Sequence, residues 1–431
     1  MFTAFAAYRR LLARPGALAF TLSGLLARMA GSMSGVSAVA LIAERRGSYA
    51  LAGAVSAAGL AAVAVGMPLI GRLVDRHGQA RVAVPAVLAN AVPFAGLLLC
   101  TGFGAPDWTL FVCWAAASGI PNLGGMARAR WAHLLRDDEA ARHLANSLEQ
   151  ALDELCFMAG PVLAMLLCST LFAEAGLLAS GVLCTTGVLL FAAQRGTEPP
   201  VARPTPTPAG EPARPRGPAG GTAGLRVLLP AFLATGVVFG STEVTTLAYA
   251  DALGHRSAAG LLLALVAAGS CLSGLAFGLL RPRRSPVTRL LGGAAAMAGL
   301  LLLPLAAGLT GAGLWVLGAA LFVAGSGTAP TMVSGMTLVQ ELSPAGRLNE
   351  GMAAAVSAIL VGISAGSALG GAVAQHAAPG TGYWVPAGAA TVALLTVGAG
   401  AHVLRRPRTV PVAEPGMHRP AVGAGAPTSR G

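Results

Sequence analysis

Residues 71–82 read GRLVDRHGQARV, a stretch that gathers an Asp, three Arg and a His into twelve positions. Apolar runs flank it on both sides, in a chain that is 55% hydrophobic and only 11% charged. A polar segment this concentrated is a connection held in water between two segments that are not. Gly71 and Gly78 within it allow a tight turn and the close approach of two helix ends.

The surroundings say what the flanking runs are. Mean hydropathy is +0.69, and 17 acidic residues face 29 basic ones. A soluble domain carries about a quarter charged residues, so this composition is that of an integral membrane protein. All 29 basic residues are Arg. An isoelectric point near 10.8 would suggest a nucleic-acid partner in a soluble chain; here topology accounts for it and no nucleic acid is implied. Cys100, Cys113, Cys156, Cys168, Cys184 and Cys271 all lie in apolar runs. None forms a Cys-x-x-Cys pair or stands at ligand spacing from a His, so no metal or redox site is expected. The opening MFTAFAAYRRLLARPGALAF sets Arg9, Arg10 and Arg14 before an apolar run too long for a signal peptide, which reads as a retained anchor.

A helix crossing about 30 Å of hydrocarbon at 1.5 Å per residue needs about 20 apolar residues. Such runs fall at 17–42, 49–71, 82–103, 108–127, 146–172 and 175–194. They resume at 226–249, 257–280, 288–308, 313–338, 349–374 and 383–404. With the N-terminus inside, 25 of the 29 arginines fall in cytoplasmic segments; Arg45, Arg46 and Arg256 lie in outer loops and Arg28 inside a span. This is a strong positive-inside bias. The expected fold is therefore an all-α membrane protein of twelve transmembrane helices in two six-helix bundles, 1–194 and 225–407, with both termini cytoplasmic. Residues 195–224, rich in Pro, Gly and Arg, read as a disordered cytoplasmic linker, and 408–431 as a disordered tail.

The opening stretch falls in the cytoplasmic loop between spans 2 and 3. There the chain resembles the major facilitator superfamily, whose signature in this loop is G-x-x-x-D-R-x-G-x-[RK]-[RK]. Gly71, Asp75, Arg76, Gly78 and Arg81 fit it, while Gln79 and Ala80 stand where the family is usually more basic. The resemblance covers both halves in span count and linker position. It implies alternating access, with this loop latching the halves together when the transporter is open outward. The residue types suit that role. Asp75 can cap a neighbouring helix N-terminus, where orphan N–H groups favour an anion. Arg76 and Arg81 can reach lipid phosphates or acids such as Glu341 and Glu350. The bland alternative is a solvated basic loop. The matching loop of the second half, GLLRPRRSPVTRL (278–290), keeps Gly278 and the arginines but lacks the Asp.

Charges within spans are the other signal. Arg28 lies about 11 residues into span 1, so roughly 16 Å deep, where an unpaired charge costs several kcal/mol. Asp153 and Glu154 lie about 12–14 Å deep in span 5, which runs in the same direction. Arg28 is expected to pair with one of them while the other exchanges a proton; a purely structural triad is the alternative. Glu149 lies nearer the surface and reads as structural. Glu243, roughly 27 Å into span 7, is a candidate for substrate or proton binding, or an outer-gate residue. The superfamily's Arg in span 4 has no counterpart in WAAASGIPNLGGM; Arg128 and Arg130 follow only at its inner end, and 128–144 reads as a short surface helix.

Packing devices complete the reading. Gly362, Gly366 and Gly370, four apart, form a small-residue face that permits close helix approach. Gly160 and Pro161 partly resemble the superfamily's antiporter motif and suggest a helix pivot. No P-loop occurs, so neither ATP hydrolysis nor any cofactor is implied. The expectation is a non-enzymatic secondary transporter in a bacterial cytoplasmic membrane. It would export small amphipathic or drug-like solutes by proton exchange, among membrane lipids and as a monomer. The runner-up is a proton-coupled importer of a small metabolite, an anionic one if Arg28 holds it; a non-transporting polytopic protein ranks below both.

Overall fold

The computed structural model describes residues 2–201, 222–255, 258–344, 346–376, 378 and 380–405. Among them the chain is helical and contains no strand. In hydrocarbon a backbone amide has no water to bond, so each helix must satisfy its own. A short helix, α1 (Phe2–Leu12), precedes the first crossing. The first half comprises α2 (Ala17–Arg46), α3 (Tyr49–His77), α4 (Gln79–Gly102), α5 (Asp107–Ala117), α6 (Leu123–Leu134), α7 (Glu139–Thr170) and α8 (Ala175–Ala193). The second comprises α9 (Ala223–Ala252), α10 (Ala259–Leu279), α11 (Pro286–Leu300), α12 (Leu302–Thr310), α13 (Gly313–Gly325), α14 (Thr328–Leu342), α15 (Leu348–His376) and α16 (Trp384–Leu404).

Eleven stretches are long and apolar enough to cross a membrane, with α11–α12 and α13–α14 each counting as one. The twelfth crossing is the α5–α6 pair, which the sequence reading takes as one continuous span at 108–127. Its helix is broken at residues 118–122, SGIPN. Pro121 has no N–H and disfavours helical geometry at the residue before it, and the Asn122 side chain accepts from Gly125 N to start a new helix. The pair still traverses the layer. α5 begins at the outer end, where Arg46 lies 3.7 Å from Asp107. α6 reaches the inner end, where Gln79, the first residue of α4, donates to Met126 O.

Each half has its own apolar core. The first is built around Phe20, Trp131 and Phe191, the second around Phe232, Met332, Met336 and Met352. Within the second half α15 lies against α9 through glycines. A Cβ on Gly362 or Gly366 would strike the carbonyls of Leu233 or Val237, and one on Gly370 would come within 3.2 Å of Ser241 Cα. The contact is reciprocal: Gly236 and Gly240 of α9 sit against the carbonyls of Ile359 and Ile363. The expected small-residue face thus finds a matching one.

The expected linker is ordered at its start. Residues Arg195–Thr197 form a 3₁₀ turn and Glu198 Oε1 accepts from Ala80 N at the start of α4. Arg130, fully buried, donates to Gln194 O, Thr197 Oγ1, Phe191 O and Gln79 Oε1 and stacks on Phe191 at 3.8 Å. Residues 202–221 and the tail at 408–431 lie outside the described residues.

Candidate functional site

The charged residues of the first half converge where α2, α6 and α7 meet. Arg28 Nη1 lies 2.8 Å from Asp153 Oδ1, and Arg28 Nη2 lies 2.9 Å from Glu149 Oε2. The other oxygen of Asp153 takes Arg128 Nη2 at 2.7 Å. Trp131 Nε1 donates to Glu149 Oε1 at 2.8 Å. Glu149 is 0% exposed and Arg128 3%. Two cations and two carboxylates therefore neutralise each other in a site where none could stand alone.

The expected Arg28–Asp153 pair is present. Two parts of the sequence reading change. Glu149, read as structural and nearer the membrane surface, is fully buried and is the second carboxylate on Arg28. Arg128, read as the start of a surface helix, is buried on α6 and paired with Asp153. The break at 118–122 makes this possible, because it starts a new helix whose second turn carries Arg128 to α7. Residues 128–131 are all buried.

Glu154 stands apart from this neutral group. Its Oε1 accepts from Gln150 Nε2 at 3.1 Å and from Ser270 Oγ at 2.9 Å, both uncharged donors. Ser270 belongs to α10 in the other half, and Thr328 Oγ1 donates to Ser270 Oγ at 2.7 Å. Glu154 is thus a carboxylate within a span, at the seam between halves, whose hydrogen-bond donors Gln150 and Ser270 are uncharged. Glu243 is not brought to this cluster; it lies on an exposed face of α9. Gly160 lets α2 approach α7, since a Cβ there would strike Ser32, whose Oγ donates to Cys156 O at 2.8 Å. Pro161 follows it within α7.

The opening stretch, read as a loop, is helical except at Gly78: α3 runs to His77, α4 starts at Gln79, and the end of α3 docks on the second half. Asp75 Oδ1 accepts from Asn349 N and Asn349 Nδ2 at 3.0 and 2.8 Å, and Oδ2 accepts from Glu350 N at 2.9 Å. The carboxylate caps the start of α15, as its residue type suggested. A Cβ on Gly71 would lie 2.7 Å from Asn349 O, so only glycine admits this approach. Gly78 turns the chain at φ 96° between α3 and α4. The arginines act differently from expectation. Arg72 takes Glu350, at 2.7 Å, whereas Arg76 and Arg81 are exposed.

Further bonds close the same end. Asn146 Nδ2 donates to Thr337 Oγ1 and Gln340 Oε1 at 3.1 and 3.0 Å, and Tyr8 donates to Leu275 O at 2.8 Å. Among the described residues, every hydrogen bond and ion pair between the halves lies at or below the level of Glu154 and Ser270, toward the cytoplasmic end.

Comparison with known proteins fits this architecture. A sequence model of the Major Facilitator Superfamily matches residues 20–317. No curated protein matches the chain by sequence. The structure is similar to that of a bacterial homologue of the iron transporter ferroportin in an outward-facing state, with TM-score 0.67 and 18% identity over 89% of this chain and 99% of that one. It is also similar to the human organic anion transporter MFSD10, with TM-score 0.65 and 15% identity over 89% and 99%. The E. coli fucose:proton symporter gives TM-score 0.59 and 14% identity over 90% and 99%. These likenesses establish the fold. The matched sequence establishes the family, and with it that the chain is a multi-pass membrane transporter and not an enzyme. The chain belongs to the Major Facilitator Superfamily.

Proposed function

We propose that this transporter exports small amphipathic organic compounds across the cytoplasmic membrane in exchange for protons, and that Glu154 carries the proton. One observation carries the reading: Glu154 is a carboxylate between the halves with only neutral hydrogen-bond donors, Gln150 and Ser270. At that depth an unneutralised charge costs several kcal/mol, and uptake of a proton removes the cost. The protonation state of Glu154 also decides which of its oxygens can accept from Ser270, so proton binding acts directly on a bond that the rocking halves must break. Asp153, held by two arginines, is the anchor beside it.

The cavity-forming spans are rich in Ala, Leu, Met and Gly and poor in fixed polar groups, which suits loose apolar recognition. Arg28 already holds two carboxylates, and this counts against an anionic cargo seated on it.

The test is proton movement in inside-out vesicles exposed to a panel of lipophilic cations and antibiotics. The expected result is that substrates collapse an imposed pH gradient with wild type, and that Glu154→Gln loses this response while still exchanging substrate downhill. If Glu154→Gln moves protons like wild type, the assignment fails. If wild type in right-side-out vesicles instead accumulates a metabolite with protons, the direction is import.

A further inference from the structure

The closed cytoplasmic end contains a buried histidine that neither the charged cluster nor the docking segment uses. His143 lies in the second turn of α7 and is 3% exposed. Its two ring nitrogens both reach across the seam. Nε2 lies 2.9 Å from Phe277 O near the end of α10, and Nδ1 lies 3.0 Å from Arg289 Nη1 on α11. The ring also packs edge-on against Phe277, with centroids 4.9 Å apart.

These partners dictate a protonation state. A guanidinium only donates and keeps its charge at any physiological pH, so Nδ1 has to be the acceptor. A carbonyl only accepts, so Nε2 has to carry the hydrogen. The clasp is therefore built for neutral imidazole with the proton on Nε2. Adding a proton to Nδ1 points an N–H at an N–H and sets two positive charges about 3 Å apart, while the bond to Phe277 O survives. What breaks is the buried bond from Arg289 of α11 to His143 of α7, leaving, among the described residues, only the 3.8 Å contact of Arg289 with the exposed Glu139 between these helices.

The other charges around the pair do not cancel this. On α7, Glu139 is 3.8 Å from Arg289 Nη2 and 57% exposed at its side chain, and Arg142 adds a positive charge. Glu341 acts on Arg289 from α14. α10 offers carbonyls, and Tyr8 of α1 bonds the neighbouring carbonyl of Leu275. The arginines that follow α10, Arg281, Arg283 and Arg284, are exposed. Once His143 is charged, Glu341 of α14 draws Arg289 away from α7, and the exposed Glu139 holds it only weakly across solvent.

We propose that His143 is a second proton-binding site, on the cytoplasmic side of the seam, and that it holds the inner end shut only while neutral. Histidine ordinarily titrates between pH 5 and 8, and burial, with the Arg289 charge beside it, moves His143 toward the acid side of its ordinary value. Acidification of the cytoplasm therefore loosens the closure and favours opening inward. The inference stands apart from the role of Glu154: it concerns closure, not coupling.

Hydrogen–deuterium exchange of the full chain in lipid nanodiscs tests it, with rates corrected for the intrinsic pH dependence of amide exchange. The segments read are 139–148 and 286–292, the two sides of the His143–Arg289 bond. In wild type, exchange there should become about tenfold faster between pH 7.5 and 5.5. His143→Gln keeps a donor for Phe277 O and an acceptor for Arg289, so it should stay protected at both pH values. Arg289→Gln should likewise lose the pH response, because no fixed charge then opposes the proton. Glu154→Gln should keep the wild-type response, which separates this result from failure of the coupling assignment. An equal pH response in wild type and His143→Gln overturns the proposal, as does a flat wild type.

Discussion

The buried ion group shows how single residues depend on one another. Arg28 neutralises Glu149, which is 0% exposed, and shares Asp153 with Arg128. Arg28→Ala leaves a buried carboxylate without its cation, and such a break costs about 3–5 kcal/mol. Thermal unfolding in detergent should show the loss, and adding Glu149→Gln to the same chain should recover part of it. Asp153→Asn should destabilise in the same way, whereas Glu154→Gln, which removes no ion pair, should leave the unfolding midpoint near that of wild type. The Arg28–Asp153 partnership was legible because depth along a helix follows from residue count. The partners Glu149 and Arg128 were not, because their burial depends on where α6 restarts after the break.

Elements obey rules that the sequence partly displays. Glycines four apart on α15 announced a close helix contact, but which helix would meet them was not written there; Gly236 and Gly240 of α9 answer it. Gly362→Leu should prevent accumulation of folded protein. Gly398→Ala, with nothing within 4 Å of the added Cβ, should change stability by less than about 0.5 kcal/mol. The Asp75 cap on α15 is a charge-assisted contact between elements of different halves. Asp75→Asn should weaken it by about 1–3 kcal/mol and shift the population toward an open inner end. Faster alkylation of a cysteine placed at Ser147, which packs against Gly278, would register that shift in a background lacking the native cysteines. The docking segment was legible as a motif; that Arg72 and not Arg76 would take Glu350 was not. Arg72 and Arg76, four apart on α3, share a helix face, so depth decides it: Gly71 lies against Asn349 and Glu350, which puts Arg72 level with the start of α15 and Arg76 one turn beyond it.

At the scale of the whole molecule, counting apolar runs and arginines was enough to give twelve crossings in two halves. It missed that the fourth crossing is interrupted at 118–122, the ninth at Leu301 and the tenth at 326–327, since a run of apolar residues does not reveal where a helix restarts. Each half has a separate core. Co-expressed fragments 1–201 and 222–431 should therefore copurify and regain transport, checked by affinity capture of a tag on one fragment. The bonds across the seam belong to one end of the molecule, and this has a thermal consequence. Opening that end breaks hydrogen bonds and ion pairs together, a step with a large enthalpy, while opening the opposite end breaks none of those described. The turnover cycle is thus lopsided in heat, and cooling should stall the empty carrier with its cytoplasmic entrance shut.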